Sequence, residues 1–167
     1  MHFVIPKELA HLKIDERGYP IPYFVPYVDG KPNFRFTEHT KIWECVESNR
    51  CGVCGKKLYK DYSYIITGKI GMGNRVSSDA AMHRVCAEFA LVSCPHMYYE
   101  KAERKENKPG VQLHLITDKV SEVLLVKCKT KFKWREKNEC IFGYTYVSHE
   151  VYHYIDNKLT KKNKNHG

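Results

Sequence analysis

The chain has 167 residues, 43% of them hydrophobic and 28% charged, which suits one domain or two small subdomains sharing a core and is short for a large multidomain enzyme. Its 12 Tyr and 7 Phe exclude a disordered polyampholyte, and no run approaches the ~20 apolar residues of a membrane helix. The start, Met1-His2-Phe3-Val4-Ile5-Pro6, lacks a signal-peptide h-region, so the expected setting is cytoplasmic with no membrane partner, and the net charge of +9 favours polyanions as partners.

Five of the seven prolines fall in residues 1–36, which read as an extended arm. Within it Asp29-Gly30 separates two aromatic runs and predicts a tight turn, with Pro26 and Pro32 confining the flanking strands to a sheet edge. Thr37 offers an N-cap, and Ile42, Cys45 and Val46 recur at helical spacing, predicting a helix over 38–49. Next, Tyr62 to Ile70 is strand-like, and Gly71-Met72-Gly73-Asn74 is expected to turn it back into Arg75-Val76-Ser77. Ser78 or Asp79 would cap a second helix over 80–93 with Val85, Phe89 and Val92 on one face, ended by Pro95. Residues 99–110 are almost wholly polar and read as a charged linker between a 37–98 module and a 111–160 unit. The latter is expected to hold strands over 111–117, over 123–128 with an extension towards Trp134, and over 141–147, then a helix over 149–159; residues 161–167 form a basic tail.

Seven cysteines in a reducing compartment point to metal ligands and buried apolar residues rather than disulfides. Cys51-x-x-Cys54 is followed, after 28 residues, by His83-x-x-Cys86. A two-residue gap lets both members of a pair reach one ion, and Gly52 and Gly55 give the backbone freedom a knuckle requires. Knuckle, hairpin, then a helix carrying the second pair in its first turn is the order of a treble-clef zinc finger. Three thiols and one imidazole suit tetrahedral Zn²⁺ better than a hard cation, and with four protein ligands the ion would be structural. Cys94-Pro95-His96 is a weaker ligand candidate, with Cys94 expected to pack at the helix end.

Arg17-Gly18-Tyr19-Pro20-x-Pro22-Tyr23-Phe24-Val25, Asp29-Gly30-Lys31-Pro32-Asn33-Phe34-Arg35, Cys51-x-x-Cys54-Gly55, Asn74-Arg75-x-Ser77, His83-x-x-Cys86-Ala87 and Cys94-Pro95 together resemble a group of small, uncharacterised bacterial and phage proteins. The resemblance spans residues 12–97 or so and implies a common fold with a zinc site, but carries over no activity. This chain departs from the group's pattern near Gly71, where a Cys is usual, and at Asp79-Ala80-Ala81, where acidic-Pro-Pro is usual. A phage origin would make a host protein or a nucleotide an alternative partner.

Two enzymatic readings compete. Treble-clef cores also carry HNH nucleases, but no histidine lies between Cys54 and His83 to act as the general base. His149-Glu150-Val151-Tyr152-His153 matches H-E-x-x-H on the expected C-terminal helix, the pattern of a zinc metallopeptidase. Against it, only 14 residues follow His153, and the further donors are Asp156 and His166.

For binding, Asn74 and Arg75 with Ser77 and Ser78 could hold a phosphate or carboxylate. Lys127, Lys129, Lys131, Lys133 and Arg135 alternate with Cys128, Thr130, Phe132 and Trp134. On one strand, or a strand bent once, all five cations share a face ~6.6 Å apart, where a nucleic acid or another anionic partner could lie. A solvated edge with protective lysines is the plainer alternative. The expectation is thus an α+β protein: a treble-clef-like zinc finger module followed by a small antiparallel sheet with a C-terminal helix, acting as a non-enzymatic binding protein.

Overall fold

Val123-Leu124-Leu125-Val126 is a continuous apolar run, and a strand of that kind must be covered on both faces. In a computed structural model, which describes residues 4–34, 36–94, 122–129, 132–136, 140–155 and 158–162, all four are at most 4% exposed. They lie in β5 (Glu122–Lys129), which runs antiparallel between β3 (Tyr62–Thr67) and β8 (Tyr146–Ile155), with β9 (Lys158–Lys161) beyond β8. The other two sheets are also antiparallel. One is the small hairpin of β1 (Tyr27–Val28) and β2 (Lys31–Pro32), which turns at Asp29-Gly30 as expected. The other sets β7 (Ile141–Gly143) between β4 (Val76–Ser77) and β6 (Lys133–Glu136).

The described residues hold three α-helices: α1 (His39–Glu47), α2 (Lys69–Asn74) and α3 (Arg84–Ser93). None is long and apolar enough to cross a membrane. Helix α1 lies within the expected span and buries Ile42 and Cys45. The larger buried cluster runs from Leu9 through Cys51, Cys54 and Cys86 to β5, Phe142 and Tyr154, and a smaller one gathers Ile42, Cys45, Ala80 and Cys140. Residues of 37–98 and of 111–160 therefore share sheets, β3 with β5 and β4 with β7.

Four expectations are corrected. The segment 149–159 is not a helix: β8 and β9 form an antiparallel hairpin there. Val147, Val151, Ile155 and three tyrosines favour extended backbone, and Tyr152 and Tyr154 are buried at alternate positions, a period of two. Gly71-Met72-Gly73-Asn74 belongs to the short helix α2, closed by Arg75 in the left-handed region (φ 54°), and β4 leaves to pair with β7 instead of returning to β3. A side chain at Gly71 would run into Thr67 Oγ1. Helix α3 begins at Arg84, with His83 rather than Ser78 or Asp79 at its N-cap, because Met82 is held extended by paired hydrogen bonds with Tyr64 (2.8 and 2.9 Å). Its buried face is Cys86, Ala87, Phe89 and Leu91, leaving Val92 exposed. The expected strand over 111–117, the linker 99–110 and residues 163–167 lie outside the described residues.

Candidate metal centre

The knuckle grows out of a tight chain reversal after α1. Asn49 adopts positive φ (53°), Leu58 N–H donates to Asn49 O, and Cys51 N–H donates to Lys56 O (2.8 Å each), so 49–58 folds back on itself around Cys51 and Cys54. Gly55, at φ 70°, closes the loop by donating its N–H to Cys51 O (2.8 Å), and Arg50 Nη1 donates to Gly55 O (3.0 Å). The second ligand pair arrives on the segment leading into α3. There Gly52 N–H donates to Ala81 O (3.0 Å), and a Cβ on Gly52 would sit 2.9 Å from that of Ala80. Close approach at a glycine thus presses the two half-sites together.

Cys51, Cys54, His83 and Cys86 are all buried, and their four donor atoms lie within 4.8 Å of one another. Cys54 Sγ and Cys86 Sγ stand 3.3 and 3.9 Å from His83 Nδ1. These spacings bracket the ~3.6 Å that separates sulfur and nitrogen ligands around a tetrahedral metal. His83 Nε2 donates to Lys57 O (2.9 Å), which orients the ring with Nδ1 towards the sulfurs, the outer support usual for a metal-binding imidazole. His11 Nε2 contacts Cys54 O (2.9 Å) on the outer side.

Electrostatics agree with a set of donors built around a cation. Hydrogen bonds from Cys51 and Cys86 hold the Cys54 thiol far below its ordinary range. Hydrogen bonds to Cys51 and Cys54 push His83 up to about 10, and the same two sulfurs push Cys86 upward. Protons shared among the donors fill the role a soft cation takes over on binding, releasing them. The group can bind a metal ion with every position supplied by protein. Cys94, at the C-cap of α3, does not belong to it, and His96 lies outside the described residues. None of the seven cysteines forms a disulfide, and six are buried.

The H-E-x-x-H residues take other roles. On β8, His149 and His153 are four residues apart along a strand, ~13 Å, too far for one ion. His149 Nδ1 pairs with Tyr146 OH (2.9 Å), and His153 Nε2 lies 3.7 Å from Glu122 Oε2. Glu150 is bound by Lys161 (2.8 Å), Arg84 (3.0 Å) and Tyr152 OH (2.8 Å), which overcome its partial burial and hold it down at about 2.

The expected cation row is divided between two sheets. Lys127 and Lys129 sit on β5, Lys133 and Arg135 on β6, and Lys131 lies outside the described residues. Within β6 the expected alternation holds: Lys133 and Arg135 point outward, while Phe132 and Trp134 stack edge-on against Phe142. Asn74 and Arg75 are exposed beside this sheet, Val76 and Lys133 both facing Gly143 in register. A mostly apolar groove of about 1150 Å³ runs between the N-terminal arm and α3, past Phe24, Phe34 and Phe89; none of the four metal-site donors lines it.

Sequence reasoning missed the supports of the site, Lys57 O and His11, which no spacing rule reports. It also passed over Lys56-Lys57-Leu58-Tyr59-Lys60-Asp61-Tyr62, whose interleaved cations and aromatics directly follow the knuckle. Comparison with protein-family models, with curated proteins and with solved structures found no match.

Proposed function

We propose that this chain is a non-enzymatic binding protein whose Cys₃His centre holds Zn²⁺ in a treble-clef-like module and whose basic surface engages nucleic acid. The carrying observation is the cluster of four buried donors within 4.8 Å. Thiolate-rich tetrahedral sites favour zinc, and a site with four protein ligands stabilises structure without activating water. A treble-clef-like reading is supported by a knuckle and a helix N-terminus that carry one Cys/His pair each, with β3, α2 and the Tyr64–Met82 bridge between them. A net charge of +9 favours a polyanionic partner.

Elemental analysis of protein purified without chelator is expected to give one zinc per chain. Cys54→Ser and Cys86→Ser should each lose the metal and unfold residues around the knuckle, since binding energy is folding energy at such sites. A metal-free protein that melts cooperatively at the same temperature would overturn the assignment.

A further inference from the structure

We infer that the surface beside the knuckle, Lys56, Lys57, Tyr59, Lys60 and Tyr62 with Lys127 and Lys129 of β5, is a binding face for single-stranded nucleic acid, ordered by the metal centre. The inference rests on the polyanion-binding reading above and gives it a location and a strand preference.

Three observations converge there. First, strand pairing sets Tyr62 opposite Lys129 and Tyr64 opposite Lys127, so cations distant in sequence join those of the knuckle loop. Lys56, Lys57, Lys60 and Lys129 are exposed, Lys127 is half-buried, and none of the five is ion-paired among the described residues. Ammonium groups not neutralised by carboxylates are the electrostatic requirement for a phosphate backbone. Second, two aromatic rings stand among them: Tyr59 is 66% and Tyr62 43% exposed. Lys127 Nζ sits 3.8 Å above the Tyr62 ring, a cation–π contact that fixes both groups. Bases in a duplex keep their faces stacked on each other, whereas an unpaired base can stack on such a ring, so cations with exposed tyrosines select single strands.

Third, the face is tied to the metal site through His83. The imidazole donates to Lys57 O (2.9 Å), and its ring packs 4.6 Å from that of Tyr59. With Nδ1 on a metal, His83 would anchor the loop that carries Lys56 to Lys60. Loss of the metal frees that anchor, so strand binding should fall even where β3 and β5 persist.

The test is fluorescence anisotropy of the zinc-loaded full chain with a labelled oligothymidylate of about twelve nucleotides and with a duplex of equal length. Single-strand affinity should exceed duplex affinity, and log Kd should vary with log salt with a slope of about 3.5 for five phosphates neutralised. The triple variant Lys56→Gln, Lys60→Gln, Lys129→Gln should make that slope shallower by about 2. Tyr59→Ala or Tyr62→Ala should each weaken binding about ten-fold with the salt slope unchanged, the mark of lost stacking. The pair Lys133→Gln, Arg135→Gln on β6 should leave single-strand binding within about two-fold, an effect small beside a single stacked base. Zinc content and circular dichroism establish that each variant is folded. Binding that survives the triple and tyrosine variants, or a preference for duplex, overturns this face while the polyanion reading stands. A wild-type chain that binds neither strand at low salt overturns both.

Discussion

Gly52 is the residue where the two half-sites meet. Its N–H reaches Ala81 O, and its α-carbon leaves no room for a methyl group against Ala80 (2.9 Å) or Phe24 (3.2 Å). Gly52→Ala should therefore push the segment that carries His83 away from the knuckle. The expected result is a loss of about 1–3 kcal/mol in chemical denaturation, with a metal ion loaded at the Cys/His cluster extracted faster by a competing chelator. A variant with unchanged stability and exchange rate would show that the loop yields without moving the ligands. Gly52 was legible as a knuckle glycine from Cys51-x-x-Cys54, but the reason for it was not, since Ala80 and Phe24 are remote in sequence.

At the scale of elements, β8 joins the helix to the sheet. Glu150 takes Arg84 from α3 and Lys161 from β9, while Tyr154 OH donates to Leu91 O at the end of α3 (2.6 Å). Glu150 has its pKa lowered from 4.5 to about 2. A depressed carboxyl adds stability that is complete above its unfolded value and vanishes as pH falls through its folded value. Glu150→Gln should thus be less stable than wild type at pH 7, by on the order of 2 kcal/mol once the exposure of Arg84 and Lys161 is discounted. The gap should close between about pH 4.5 and pH 2. Urea midpoints of both proteins across that range check it; a gap independent of pH would mean that Glu150 acts by packing. The same strand shows the limit of local reading. Ser148-His149-Glu150-Val151-Tyr152-His153 fits H-E-x-x-H, and Val151, Ile155 and Leu159 fit a helical face, yet partners on both sides, β5 and β9, impose the extended backbone. Tertiary pairing outweighs a short ambiguous pattern.

Across the whole molecule, the metal donors are part of the main core. Cys51, Cys54 and Cys86 belong to the same buried cluster as Val123 to Val126, Phe142 and Tyr154. Removing the metal should consequently reach beyond the knuckle. Hydrogen exchange on chelator-treated protein is expected to show faster exchange at Tyr64 and Met82, whose paired bonds lead into His83, and also at the β5 amides. Faster exchange confined to 49–58 would instead mark the knuckle as an independently opening unit.

The sequence by itself determined which four Cys and His side chains could share an ion, the Asp29-Gly30 turn, the span of α1 and the strand character of Val123–Cys128. Each follows from neighbours a few residues apart: ligand spacing, a turn dipeptide, a helical period, an apolar run. Only the tertiary structure decided that β4 pairs with β7, that the Lys127–Arg135 row is divided between two sheets, and that β8 pairs antiparallel with β9. It also decided that Tyr62 meets Lys127 and Lys129. These arrangements depend on hydrogen-bond partners dozens of residues away, and a backbone that can be helix or strand takes the form in which its N–H and C=O groups and its apolar side chains are satisfied together.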